Sequence, residues 1–175
     1  MKGRECMAGT KEKTDAPETG AVGKKITAKD VDLNQYIVVR NGFQGKLVYK
    51  SSRTGEKFVW DGFGAEQEIE LRELKNAKNT SKAFFLNNWF MFDDRWVIDF
   101  LGVRQYYANA VSIEDFDTIF AKTPAELKKT IAALSNGQKK SVAYRARQLI
   151  AAGEIDSLKT IAALENALGV ELIEK

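Results

Sequence analysis

Eleven of the eighteen aromatic residues in this 175-residue chain lie between Phe84 and Phe120: Phe84, Phe85, Trp89, Phe90, Phe92, Trp96, Phe100, Tyr106, Tyr107, Phe116 and Phe120. Side chains of this size bury roughly 150–250 Å² each and dominate the energetics of any core they enter. A segment so rich in them must be wrapped by the elements on either side. It is the expected heart of the fold, and Trp96 is expected to be a core residue within it.

On its amino-terminal side the chain reads as short extended runs: Tyr36 to Arg40, Lys46 to Tyr49, Glu56 to Trp60, and Gln67 to Leu71. β-branched and aromatic residues between Asn41-Gly42, Ser51 to Gly55 and other Gly and Ser breaks mark about four antiparallel strands, as a meander or small barrel. So few strands need a cover to be stable, and the aromatic segment supplies one. Within that segment Asp94 is placed to cap a short helix carrying Trp96, Val97, Phe100 and Leu101 and closed by Gly102. Ser112-Ile113-Glu114-Asp115 has the form of a capping box that starts the next helix.

From Thr123 the pattern is helical. Thr123-Pro124-Ala125-Glu126 sets a cap, a first-turn proline and a third-position carboxylate in order, and Asn136-Gly137 reads as the end of that helix. A second helix is expected from about Gln138 to Ala152, stopping at Gly153, and a third from Asp156 or Ser157 to Leu168, stopping at Gly169. Lys-Thr-Ile-Ala-Ala-Leu occurs at 129–134 and again at 159–164, which a shared helix preference explains without a structural repeat. The expected fold is therefore α+β: a small antiparallel sheet on an aromatic-rich segment over 31–120, then three to five helices over 121–175. Whether those helices form a separate unit stays open.

Residues 1–30 hold several glycines, interleaved charge and almost nothing to bury, and are expected to be an arm rather than a domain. No stretch approaches the ~18 consecutive apolar residues of a membrane helix, and no apolar run comes after the amino-terminal charges, so neither a membrane span nor a secretory signal is expected.

The absence of histidine removes Ser-His-Asp and Cys-His catalysis, imidazole general bases and histidine-ligated zinc together. The single cysteine, Cys6, forms no internal disulfide and no thiolate cluster. A net charge of +3 is too mild to mark a nucleic-acid binder by itself. Glu66, Glu68 and Glu70 alternate, so on a strand they share a face and could hold a divalent cation; a solvated face is the simpler expectation. Asp93 and Asp94 suit helix caps better than metal ligands. Gly62-Phe63-Gly64 lacks the Gly-Lys-Ser/Thr ending of a phosphate loop. The helix after Gly137 sets Val142, Ala146, Leu149 and Ile150 on one face and Lys140, Tyr144 and Arg147 opposite. That basic, aromatic stripe could grip an acidic protein surface or contact nucleic acid. Residues 161–170 begin like a helix-turn-helix, but the stretch from Glu171 to Lys175 is too short and acidic to be a recognition helix. No catalytic residue, cofactor or metal is expected, and the chain reads as a non-enzyme.

The run Arg40-Asn41-Gly42, Lys46 to Tyr49, Thr54-Gly55, Gly64, Gln67-Glu68-Ile69, Phe84-Phe85, Asn87-Asn88-Trp89-Phe90 and Gln138 to Ala146 resembles small proteins encoded among the virion structural genes of tailed bacteriophages, over about residues 36–173. The resemblance implies an accessory component of the capsid, neck or tail, found in the virion and in the host cytoplasm during assembly. It implies capsid, portal or tail subunits as partners and several copies in a symmetric assembly. The residues expected to meet those partners are Lys11, Lys13, Lys24 and Lys25 of the arm with Lys140, Tyr144 and Arg147. A nucleic-acid-binding regulator using the same basic helix face is the alternative.

Overall fold

The computed structural model describes residues 31–173. The arm residues Lys11, Lys13, Lys24 and Lys25 therefore lie outside the described residues. The chain is α+β, with small antiparallel sheets on an aromatic cluster, then helices.

Four extended runs form strands where expected: β1 (Tyr36–Asn41), β2 (Leu47–Lys50), β3 (Lys57–Trp60) and β4 (Glu66–Glu70). Their pairing departs from chain order. β2 and β3 make a hairpin, whereas β1 pairs with β4 on one side and, at Arg40 and Asn41, with the two-residue β5 (Phe90–Met91) on the other. The extra strand comes from the aromatic segment itself. Its two residues are both buried, so no alternation announces it.

Leu71, expected at the end of a strand, instead opens helix α1 (Leu71–Thr80). Leu71, Leu74 and Ala77 all bury at three-residue spacing, but no side chain caps this helix. Backbone groups take the cap's place: the Leu71 and Arg72 amides donate to the Gln35 and Leu33 carbonyls. Short helices α2 (Ala83–Leu86), α3 (Arg95–Leu101) and α4 (Arg104–Tyr107) come next. Asp94 and Gly102 bound α3 as expected, Gly102 in the left-handed conformation, although the Asp94 side chain makes no capping bond.

The aromatic lattice centres on Phe90. The rings of Tyr49, Trp60, Phe84 and Phe85 lie within 5.5 Å of it, centroid to centroid. Trp60 is fully buried and donates its indole N–H to the Val39 carbonyl at 2.8 Å. Trp96 is only half-buried, packed against the rim of this core. A four-residue spacing places it beside Phe100 on the outer side of α3, while Val97 and Leu101 point inward.

The aromatic segment serves two cores rather than one. Phe116 and Ile119, on a 3-10 helix (Phe116–Ala121), join Leu127, Ile131, Val142, Ala146, Ile161 and Leu164 in a second apolar cluster. Phe63 reaches this cluster from the strand region, its ring 4.8 Å from that of Phe116. Ser112 accepts from the Asp115 amide, but the Asp115 carboxylate accepts from the Ser112 hydroxyl instead of its backbone amide, so the expected box is half-formed and opens a 3-10 turn.

Helix α5 (Pro124–Ala133) starts with the full Thr123–Glu126 capping box. Asn136-Gly137 does not end it. Leu134 does, and Ser135 caps α6 (Asn136–Ala151), whose first turn contains Asn136 and Gly137. Gly137 is there because a β-carbon would sit 2.1 Å from the Asn87 carbonyl oxygen. α7 (Leu158–Leu168) runs from Ser157 to a left-handed Gly169 as expected. α5 and α7 pack on each other, and the repeated hexapeptide places Ile131 and Leu134 of one stretch and Ile161 and Leu164 of the other in the same core. The match is a shared apolar spacing.

This packing sets two expected outcomes. Trp60→Ala should lower stability by about 3–5 kcal/mol and Trp96→Ala by only about 1–2 kcal/mol, measured by urea unfolding. Gly137→Ala should cost about 1–3 kcal/mol through overpacking, even though alanine favours a free helix by about 1 kcal/mol; a stabilised Gly137→Ala protein would show that the Asn87 contact yields.

Candidate functional site

α6 is the element on which the expected contact residues sit, and the way it is held decides what they can do. Its inner face packs in the second cluster and meets the strand region through backbone contacts. Ser141 donates to the Gly42 carbonyl at 3.1 Å and accepts from the Gln44 amide at 3.3 Å. The Gln138 side chain brackets the Val111 backbone, donating to its carbonyl at 2.8 Å and accepting from its amide at 3.2 Å. Val142, Ala146 and Leu149 complete the buried face.

The outer face is open among the described residues. Lys140, Tyr144, Arg147 and Gln148 are exposed at the four- and three-residue spacing of one helix side, and Tyr144 keeps about half its surface in water (51%). The structure thus brings Lys140 and Tyr144 together as expected. Arg147 is a correction in part, because its guanidinium donates to the Glu171 carbonyl at 2.9 Å and so ties down the chain after α7. The neighbouring Arg145 is also committed, paired with both oxygens of Asp117 at 3.0 and 2.6 Å. Arg147 keeps its charge, since a carbonyl is a neutral acceptor, but its guanidinium is held toward the chain after α7.

Three of the acidic candidates, Glu66, Asp93 and Glu70, fall into two networks, and Glu68 forms no ion pair among the described residues. Glu66 and Asp93 converge on Arg40, Glu66 at 3.4 Å and Asp93 at 3.2 Å, with Glu114 hydrogen-bonded to the same guanidinium. The Glu114 bond to Arg40 holds the Glu114 carboxyl below its ordinary value. Asp94 is not part of this group and bounds α3. Among the described residues no group of three potential ligands is close enough to hold a metal ion. Gly64 has a left-handed backbone that serves the turn into β4, where the Gly64 amide donates to the Asn41 carbonyl. No helix among the described residues is long and apolar enough to cross a membrane.

The second network was not visible in the sequence. Glu73 on α1 is buried, accepting from the Tyr49 hydroxyl at 2.7 Å, Arg53 Nε at 3.0 Å and the Asn76 side-chain amide at 3.1 Å. Burial alone would raise its pKa, but these donors hold the carboxyl below its ordinary value. Burial and the adjacent carboxylate push the Tyr49 phenol well up, so it stays a donor. Only helical periodicity over 71–77 could have signalled it, since Glu73 then falls beside Leu74 on the inward side. Arg53 also reaches Glu70 at 3.7 Å, and a cleft of about 240 Å³ opens beside this network between Tyr36 and Phe58.

Because the folded pKa of Glu73 lies below that of an unfolded glutamate, roughly 4.3, its contribution is full at neutral pH. It is lost as pH falls below about 4 and through the folded value. Glu73→Gln should cost about 2 kcal/mol at pH 7 and flatten the acid limb of a stability-against-pH curve. An acid limb identical to that of the parent would assign the pH dependence to other carboxylates.

Comparison with protein-family models, with curated proteins and with solved structures found no match.

Proposed function

We propose that this chain is a non-enzymatic structural or assembly component of a tailed-bacteriophage virion. It docks on capsid, portal, neck or tail subunits through the outer face of α6 and its amino-terminal arm. The virion assignment rests on the resemblance over residues 36–173. The docking assignment rests on one observation: Gly137, Gln138 and Ser141 fix α6 against the backbone at Asn87, Val111 and Gly42 while Tyr144 stands exposed on its outer side with Lys140. A half-exposed tyrosine on a helix that cannot shift is a low-entropy anchor, and tyrosine is among the residues that carry most binding energy in interfaces. Nucleic-acid binding through the same face is less well supported, because the neighbouring Arg145 is ion-paired with Asp117 and the net charge of the chain is only +3.

The test is incorporation into particles assembled without the chain. The purified full chain should be free of nucleic acid by its 260 to 280 nm absorbance ratio, and its mass by light scattering should be the same at low and physiological salt. Tyr144→Ala should weaken incorporation about thirtyfold, the equivalent of a 2 kcal/mol anchor, with an unchanged melting temperature. Co-purifying nucleic acid that is lost as salt rises would overturn the proposal in favour of a regulator.

A further inference from the structure

The outer face of the β4-β1 pair is exposed at Tyr36 and Val38 among the described residues, and it carries three glutamates, Glu66, Glu68 and Glu70. Register places Tyr36 opposite Glu70, Val38 opposite Glu68 and Arg40 opposite Glu66, all on that face. Arg40 is enclosed by its three carboxylates. Tyr36 and Val38, by contrast, expose 64% and 40% of their surface. The face runs into the cleft where Phe58 and Glu56 stand across from Tyr36, Glu68 and Glu70. Glu70 and Glu73 are engaged by Arg53, whereas Glu56 and Glu68 form no ion pair among the described residues. An apolar pair flanked by two uncompensated carboxylates fits an extended basic segment with apolar residues between its lysines.

The chain itself carries such a segment. Between Thr19 and Lys29 there are three lysines, Lys24, Lys25 and Lys29, the apolar Val22 and Ile26, and no carboxylate. The described chain begins at Val31, shortly before Tyr36 opens β1, and the Leu33 and Gln35 carbonyls accept from the first two amides of α1. The stretch from Lys25 to Val31 has a reach of about 20 Å, enough to turn back along β1. We propose that the segment carrying Lys24 and Lys25 docks intramolecularly on this sheet face, its lysines against Glu56 and Glu68 and its apolar residues on Tyr36 and Val38. A docked segment withholds two of the arm's lysines from external partners, so release from this face would precede their use elsewhere.

The test is a trypsin time course on the full chain at low salt, with fragments assigned by mass. Cleavage of a docked segment requires it to open, so its rate tracks the open population. The Glu56→Gln/Glu68→Gln double variant should accelerate cleavage after Lys24 and Lys25 by at least about tenfold and leave cleavage after Lys13 unchanged. Tyr36→Ser should act in the same direction. The substituted side chains are all exposed, and unchanged melting temperatures would show that the variants are folded. Equal rates after Lys25 in parent and variants would overturn the proposal. Protection that grows with protein concentration would overturn it too, placing the segment on a second copy.

Discussion

The arrangement depends on one close approach: the first turn of α6 lies directly on the backbone at Asn87 and Asn88. Two glycines make it possible. Gly137 meets the Asn87 carbonyl from the helical side and Gly42 meets the Asn88 carbonyl from the sheet side, and at either position a β-carbon would lie 2.1 Å from the oxygen. Asn88 accepts a left-handed backbone, the one positive-φ residue other than glycine among the described residues, and its side-chain amide donates to the Tyr106 carbonyl. Asparagine tolerates that conformation better than most side chains. With the two backbones this close, the side chains of Gln138 and Ser141 bond main-chain groups across the gap, while Asn41 ties the adjoining loops of the strand region together, so that buried peptide groups near the junction gain the partners they need.

That junction explains how a chain with two apolar clusters presents a fixed surface. Neither cluster is large, and the strands are short, so each leans on the other through α6, Phe63 and Phe116. Asn41, Gly42, Asn87, Asn88, Gly137, Gln138 and Ser141 lie at or beside this seam and position the outer face of α6 without being part of it.

Charge is used mainly to hold loops in place. Arg40 gathers Glu66, Asp93 and Glu114 from three separate parts of the chain, Glu73 locks the β2-β3 hairpin to α1 through Tyr49 and Arg53, and Arg145 secures the 3-10 helix through Asp117. Each of these takes carboxylates or cations that look available in the sequence and commits them to structure. Lys140 beside Tyr144, and Glu56 and Glu68 beside Tyr36, form no ion pair among the described residues and stand next to exposed rings.

The helix boundaries at Thr123, Ser157, Gly102 and Gly169 and the inward face of α6 were legible in the sequence, because capping and helical periodicity act over three or four residues and need no distant partner. The α+β class and the strand segments were legible for the same reason. The order of strands in the sheet, the partial burial of Trp96 against the full burial of Trp60, the placement of Gly137 inside a helix and the capture of Arg147 were decided only by the tertiary structure. Each depends on a group far away in the chain, such as Asn87 for Gly137 or Glu171 for Arg147, and a local sequence pattern carries no information about which distant backbone will arrive to meet it.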